Sequence, residues 1–167
     1  MYRITAVCTG NICRSPMAEF MIRQALEGAG VTDVQVDSSG ISDWETGNPV
    51  DPRAGTVLAS DGLDAAAHVA RKFDGESFAA TDLVLALDLD HFTELRRLAQ
   101  SPADQAKIHM LRSFDPALSG VGPAEQGIYD PWFGDAADFE VCRDMIRAAL
   151  PGLVEHVRKE TAGARGA

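Results

Sequence analysis

The stretch that most restricts the fold is DLVLAL, Asp82 to Leu87, which is apolar at almost every position. A strand with one face in water alternates apolar and polar residues, whereas a strand that is covered on both faces does not. Such a run is typical of the middle of a parallel sheet with helices on both sides. The sequence therefore predicts that a sheet of this kind forms the centre of an α/β fold.

Strand and helix signals alternate along the rest of the chain. The other predicted strands are RITAV, DVQVDS and KIHML, and helices are predicted from Pro16, from Pro52 behind an Asp51 cap, from His91, and along the apolar stripe from Phe139 to Val157. This order predicts parallel strands joined by right-handed crossovers. In such sheets ligands bind beyond the carboxyl ends of the strands, so the turn that follows the first strand is the expected place for a site.

Length, composition and the number of cysteines limit the number of domains, the class of partner and the cellular compartment. The 167 residues, 46% of them hydrophobic, fit one domain, which we place at 1–160 with a flexible tail at 161–167. A formal net charge of -10 argues against nucleic acid or an anionic membrane as partner. The chain shows no signal peptide and no run of membrane-spanning length. Three cysteines favour a reducing, cytoplasmic compartment and leave non-classical export open.

The segment VCTGNICRSP forms the turn between the first strand and the first helix. Inward N–H groups at a helix start make an anion cradle, which here would begin at Thr9. Gly10 lets the backbone approach a ligand closely, and Asn11 tolerates the left-handed conformation that a tight loop needs. Arg14 adds a planar fork that matches two phosphate oxygens.

A cysteine at the base of this cradle, Cys8, lies in a positive field that favours its thiolate. Ser15 can donate a hydrogen bond to that thiolate, and the implied reaction is attack of sulfur on phosphorus. The spacing Cys-x5-Arg alone decides little, since it also fits an ordinary buried cysteine at a strand end. The whole segment between a strand and a helix is the stronger signal.

The sequence resembles the low-molecular-weight protein tyrosine phosphatases, especially their actinobacterial members. The resemblance covers nearly the whole chain and is carried by VCTGNICRSPMAE, DSSGISDWETGNPVDPRA, HVARKF, DLVLALD and DPWFGD. It implies a flavodoxin-like, four-stranded parallel sheet of order 2-1-3-4 with helices on both faces. It also implies hydrolysis of phosphotyrosine in proteins through a phosphocysteine, without cofactor or metal. Inorganic phosphate would be product and inhibitor, and a monomer is favoured.

By this resemblance, Cys8 is the nucleophile, Arg14 clamps the phosphoryl oxygens and Asp130 is the general acid. The chemistry needs such an acid, because a phenolate leaves poorly unless it is protonated as the P–O bond breaks. The same group can later serve as base for the water that hydrolyses the phosphocysteine. Without the resemblance, Asp130-Pro131 would equally fit a plain turn.

The resemblance also implies supporting residues. Asn11 and Ser15 would hold the loop, and Ser38 would bond Asn11 with help from His68, although His68 equally fits a surface or capping role. The remaining loop residues are Thr9, Gly10, Ile12 and Cys13, and the expected pocket walls are Ile12, Trp44, Trp132 and Phe133. Trp132 and Phe133 stand where the family often has two tyrosines, so control by phosphorylation of those tyrosines cannot occur in this chain.

Three other functions stay open at this stage. An arsenate reductase would need relay cysteines, but Cys142 lies on the apolar stripe of the last helix and fits a core residue. A protein-arginine phosphatase would carry Thr where this chain has Ile12. A non-catalytic phosphotyrosine-binding module would not need Cys8, Arg14 and Asp130 together.

The second loop cysteine, Cys13, lies five residues from Cys8 and is close enough for a disulfide to be considered. Such a bond would protect an oxidised Cys8 and make the enzyme redox-regulated. The simpler alternative is that Cys13 only packs beneath the loop.

Overall fold

The computed structural model describes residues 1–164. Its centre is a sheet of four parallel strands in the order β2-β1-β3-β4, which confirms the predicted topology. The strands are β1 (Tyr2–Cys8), β2 (Val34–Gly40), β3 (Leu83–Ala86) and β4 (Ile108–Met110). Because all four run in the same direction, their carboxyl ends meet at one edge of the sheet.

Within the described residues, five α-helices accompany the sheet: α1 (Arg14–Gly28), α2 (Pro52–Ser60), α3 (Leu89–Leu98), α4 (Pro102–Ala106) and α5 (Ala136–Ala164). Short 3-10 turns lie before β3 and between β4 and α5. In residues 1–164 no helix is both long and apolar enough to cross a membrane.

The DLVLAL strand divides its side chains between two cores. Leu83 and Leu85 join the cluster that contains the buried residues of α1, α2 and α5, whereas Val84 and Ala86 join the cluster around Phe73, Phe78 and Leu95. Since both sides of β3 are covered, neither can carry a polar residue at low cost. This explains the unbroken apolar run and confirms the prediction drawn from it.

Four details differ from the sequence prediction. Helix α3 begins at Leu89, two residues before the predicted start at His91. Helix α1 begins at Arg14, two residues before the predicted start at Pro16, so the arginine belongs to the first helical turn. Helix α4 was not predicted, because five residues are too few to show a period. Helix α5 continues through residues 161–164, part of the predicted tail, and residues 165–167 lie outside the described residues.

Two helix caps bring carboxylates to the carboxyl edge of the sheet. Asp51 caps α2 by accepting a hydrogen bond from Arg53 N at 2.8 Å, with Pro52 as the first helical residue. Asp88 follows β3 and caps α3 by accepting from His91 N at 2.9 Å. Capping therefore fixes both acids beside the turn that leaves β1.

Candidate active site

The loop between β1 and α1 has the backbone of an anion cradle. Asn11 has φ 60° and is the one non-glycine residue of the described chain with a positive φ. No N–H group of residues 9–13 donates to a carbonyl oxygen within residues 1–164. Gly40 of β2 allows the loop to pack closely, since a Cβ there would lie 2.8 Å from Thr9 O. Unpaired amides next to a helix start are the arrangement that binds an oxyanion.

The sulfur of Cys8 lies beneath this loop and is nearly buried. Its nearest polar partner is Ser15, whose Oγ lies 3.0 Å from Cys8 Sγ. The same Oγ accepts a hydrogen bond from Asn11 Nδ2 at 2.9 Å, so its own proton has two acceptors in reach, Cys8 Sγ at 3.0 Å and Ser39 O at 3.3 Å. The Ser15 hydroxyl is therefore placed to donate to Cys8 Sγ.

Asn11 is held from several sides. Its Nδ2 also donates to Ser38 Oγ at 2.8 Å, its Oδ1 accepts from Arg71 N at 2.9 Å, and its carbonyl lies 2.7 Å from His68 Nε2. Ser38 in turn donates to Glu19 Oε2 at 2.6 Å. The structure thus brings Ser38 and His68 onto Asn11, and it adds two residues that sequence reasoning did not single out, Arg71 and Glu19.

Arg14 is buried and carries three hydrogen bonds. Its Nη1 donates to Asp88 Oδ2 at 2.6 Å and to Ile128 O at 3.1 Å, and its Nη2 donates to Asp130 Oδ2 at 3.1 Å. Burial alone would lower the pKa of Arg14, but the charges of Cys8, Asp130 and Asp88 raise it. The guanidinium therefore stays charged at the base of the pocket.

Two further residues near Arg14 were missed by sequence reasoning. Asp88 could have been found from its place just beyond β3, because ligands bind at the carboxyl ends of such strands. His91 is buried, with Nε2 2.9 Å from Thr9 Oγ1 and Nδ1 3.1 Å from Asp88 Oδ1, the latter without hydrogen-bond geometry. Burial lowers the pKa of His91 to about 4 against the opposing charge of Asp88, so the ring is neutral near pH 7.

A pocket of about 260 Å³ opens above Cys8 and Arg14. Its other lining residues are Thr9, Gly10, Ile12, Cys13, Trp44, Glu45, Asp130, Trp132 and Phe133. Trp44 and Phe133 are 80% and 93% exposed, so their rings stand free at the rim. An apolar, aromatic wall above an anion cradle suits a flat aryl group that carries a charged end.

The two loop cysteines have different surroundings, and all three cysteines of the chain are free thiols. Burial, and next the charge of Asp51, raises the pKa of Cys13, so this residue is a neutral thiol near pH 7. Burial also raises the pKa of Cys142 to about 12. Cys142 is fully buried on α5 and packs as a small core residue.

Comparison with known proteins gives a consistent result. A family model described as "Low molecular weight phosphotyrosine protein phosphatase" matches residues 3–163. A low molecular weight protein-tyrosine-phosphatase of Streptomyces coelicolor is 46% identical over 165 residues, covering 97% of each chain. Low molecular weight protein-tyrosine phosphatase A of Mycobacterium tuberculosis is 42% identical over 160 residues, covering 95% of this chain and 93% of the relative.

The fold agrees with these relatives. The crystal structure of YfkJ from Bacillus subtilis superposes with a TM-score of 0.85 at 27% identity, covering 96% of each chain. The similarity therefore extends over the whole domain, including every element that carries a residue of the pocket.

Proposed function

The chain belongs to the low molecular weight phosphotyrosine protein phosphatase family, and we propose that it hydrolyses phosphotyrosine monoesters of proteins through a phosphocysteine on Cys8. The observation that carries the proposal is the position of Cys8 Sγ. It lies 3.0 Å from the Ser15 hydroxyl, below a loop with free N–H groups and at the base of the aromatic pocket.

In the first step, the N–H groups of residues 9–13 and the guanidinium of Arg14 bind the phosphoryl oxygens. The Cys8 thiolate attacks phosphorus, so an S–P bond forms as the P–O bond to the tyrosine ring breaks. The leaving oxygen takes a proton from the carboxyl group of Asp130, which lines the pocket.

In the second step, water attacks phosphorus and gives its proton to the Asp130 carboxylate. The S–P bond breaks, inorganic phosphate leaves and the Cys8 thiolate is restored, with the proton again on Asp130 for the next cycle. The present ion pair between Arg14 Nη2 and Asp130 Oδ2, 3.1 Å apart, must open for this chemistry. A bound phosphoryl group replaces Asp130 on that donor.

Substrate choice follows from the walls. Ile12 lines the pocket with a branched, apolar side chain, which suits the face of a phenyl ring better than a guanidinium. The aromatic rim at Trp44 and Phe133 lengthens this apolar surface. We expect phosphoserine to be a poorer substrate, because it has no ring to cover this apolar surface.

The test is turnover of an aryl phosphate, phosphotyrosine, phosphoserine and phosphoarginine, side by side, by the wild type and by Cys8→Ser. We expect turnover of the first two substrates, and loss of turnover in Cys8→Ser, which still binds vanadate because the cradle is mostly backbone. Near-wild-type hydrolysis by Cys8→Ser would refute the covalent mechanism. Preference for phosphoarginine would refute the substrate assignment.

We also propose the inhibitor, the cellular compartment and the oligomeric state of this enzyme. Inorganic phosphate should inhibit competitively, because it fits the same cradle as the substrate. The buried, free cysteines support a reducing, cytoplasmic compartment. A monomer is supported by the position of the most exposed rings, Trp44 and Phe133, at the substrate pocket, where they need no second subunit to account for them.

A further inference from the structure

Arg53 contacts both sides of the pocket, the start of α2 beside the loop between β1 and α1 and the segment that carries Asp130. It is the second residue of α2, and Asp51, which caps that helix, donates its N–H to Ile12 O at 2.8 Å. The guanidinium donates two hydrogen bonds to Asp51, from Nε to Oδ1 at 3.1 Å and from Nη2 to Oδ2 at 2.9 Å. Arg53 is thereby fixed relative to the cradle.

The same guanidinium reaches the 130–134 loop. Its Nη1 donates to Gly134 O at 2.9 Å and its Nη2 to Trp132 O at 3.2 Å. It also lies over two rings, 5.9 Å from the centre of Trp132 and 4.6 Å from the centre of Phe139 at the start of α5. One planar group therefore holds the backbone of the loop, one wall of the pocket and the helix that follows.

Few other hydrogen bonds restrain this loop, although Pro131 beside Asp130 is buried. Its remaining hydrogen bonds are local, from Trp132 N to Asp130 Oδ1 and from Gly134 N to Pro131 O. Within residues 1–164, the hydrogen bonds that join the loop to the body of the protein come from Arg14, through Asp130, and from Arg53. Asp130 is about half exposed, so packing adds little restraint to its side chain.

We propose that Arg53 is a positioning residue, which keeps Asp130 over the leaving oxygen when substrate occupies the pocket. The inference rests on the proposed function. A phosphoryl group on Arg14 displaces Asp130 from that guanidinium, and the loop then loses one of the two side chains that hydrogen-bond it to the body of the protein, at the moment when the acid must act. Arg53 touches neither phosphate nor leaving group, and its hydrogen bonds to the loop persist.

The expected defect on losing Arg53 is selective. General acid catalysis contributes about 10²–10⁴-fold, and a misplacement of about 1 Å can cost about 10²-fold. Arg53→Met should therefore lower kcat/KM for phenyl phosphate by about 30-fold and for dinitrophenyl phosphate by less than about threefold, because the latter leaving group departs without a proton. The inhibition constant of inorganic phosphate should stay within about twofold, since the cradle is intact.

The experiment measures kcat/KM with both aryl phosphates for Arg53→Met, Arg53→Lys and Asp130→Asn, and for each Arg53 variant combined with Asp130→Asn. If Arg53 acts through Asp130, its replacement costs less than about twofold once the acid is gone. The matched control is Arg147→Met, which removes a 2.6 Å ion pair between α5 and Asp61 at the far end of α2. Arg147→Met should lower kcat/KM for both aryl phosphates equally or leave both unchanged.

Arg53→Lys is included as a second variant that keeps a positive charge. Arg53→Met leaves the buried Asp51 carboxylate without its charged partner, which can itself destabilise the fold. Lysine keeps a charge beside Asp51 but cannot donate to two carbonyl oxygens in one plane, so a selective loss of at least about fivefold in kcat/KM for phenyl phosphate is expected.

Equal losses for both substrates, or losses that multiply with that of Asp130→Asn, would overturn the positioning role. If Asp130→Asn itself shows no dependence on leaving group, the acid assignment fails, and the inference fails with it. If Asp130→Asn is selective and neither Arg53 variant is, only the inference fails.

Discussion

Replacement of Asn11 by alanine is the sharpest test of how the cradle is held. The side chain of Asn11 is fully buried and makes three hydrogen bonds, with Ser15, Ser38 and the backbone of Arg71. Its backbone sits at φ 60°, where an asparagine is tolerated and an alanine is strained. Asn11→Ala therefore removes the polar network and adds backbone strain at one position.

The size of the effect follows from these contacts. Three hydrogen bonds, two buried and one partly buried, at about 1 kcal/mol each and about 1 kcal/mol for alanine in the left-handed region give a loss of about 4 kcal/mol. This is a large share of the roughly 5–15 kcal/mol that holds a typical domain together. With an m-value of about 2 kcal/mol/M, the urea midpoint should fall by about 2 M. Because the loop carries the reacting groups, kcat should fall by about 100-fold.

The assay combines urea unfolding with aryl phosphate turnover. The control is Ser42→Ala, whose hydroxyl donates one exposed hydrogen bond to Thr9 O at 3.0 Å on the outer side of the same loop. This control should stay within about 0.5 kcal/mol of the wild type. If Asn11→Ala loses less than about 1 kcal/mol and keeps kcat within about threefold, the network does not hold the cradle and the reasoning is wrong.

Three further predictions concern the core, pH and oxidation. Gly152→Ala should lower the melting temperature by at least about 4 °C, because the new Cβ would overlap a backbone carbonyl packed on α5, whereas Gly163→Ala has open space among the described residues and should not. Since burial lowers the pKa of His91 to about 4, the unfolded chain binds a proton first as pH falls below about 6.5. Stability should therefore decline with a slope of up to about 1.4 kcal/mol per pH unit down to pH 4, and an unchanged slope in His91→Gln would contradict this. After peroxide and then a thiol reductant, Cys13→Ser should regain less activity than the wild type, and equal recovery without a Cys8–Cys13 linked peptide would leave Cys13 with a packing role.

The sheet was predictable because its signals are local. The apolar run at Leu83–Ala86 and the alternation of strand and helix patterns depend only on neighbours in sequence. The cap at Asp51 was likewise found, since Asp-Pro before an apolar pattern is a short signal. Helix α4 was missed because its five residues carry no buried side chain and therefore no periodic pattern.

The site was predictable only where its residues lie on one continuous segment. Residues 8–15 could be interpreted from a turn that links a strand to a helix, but Arg14 meets Asp88 and Asp130 across 74 and 116 positions of sequence. No local pattern specifies such pairs. The resemblance to a family supplied Asp130, and the place of Asp88 just beyond β3 was a signal that could have been used. His91 and Arg53 became visible only when the crossovers brought the starts of α3 and α2 to the cradle.

The two cysteines of the loop show why sequence spacing does not fix reactivity. Cys8 and Cys13 share one turn, yet the sulfur of Cys8 meets the Ser15 hydroxyl below the free N–H groups, whereas burial and the Asp51 carboxylate raise the pKa of Cys13. Asp51 comes from the start of α2, where Arg53 partly offsets its charge. Asp51 thus adds to the burial that keeps the second thiol protonated, whereas Arg53 opposes it and, as proposed, holds the loop of the general acid. A substitution of Arg53 should therefore change the pKa of Cys13 as well as the position of Asp130. Because the charge of Arg53 lowers the pKa of Cys13, Arg53→Met should leave less thiolate at Cys13. Slower alkylation of Cys13 in Arg53→Met than in the wild type would reveal that shared dependence, whereas unchanged alkylation would show that the two effects are separate.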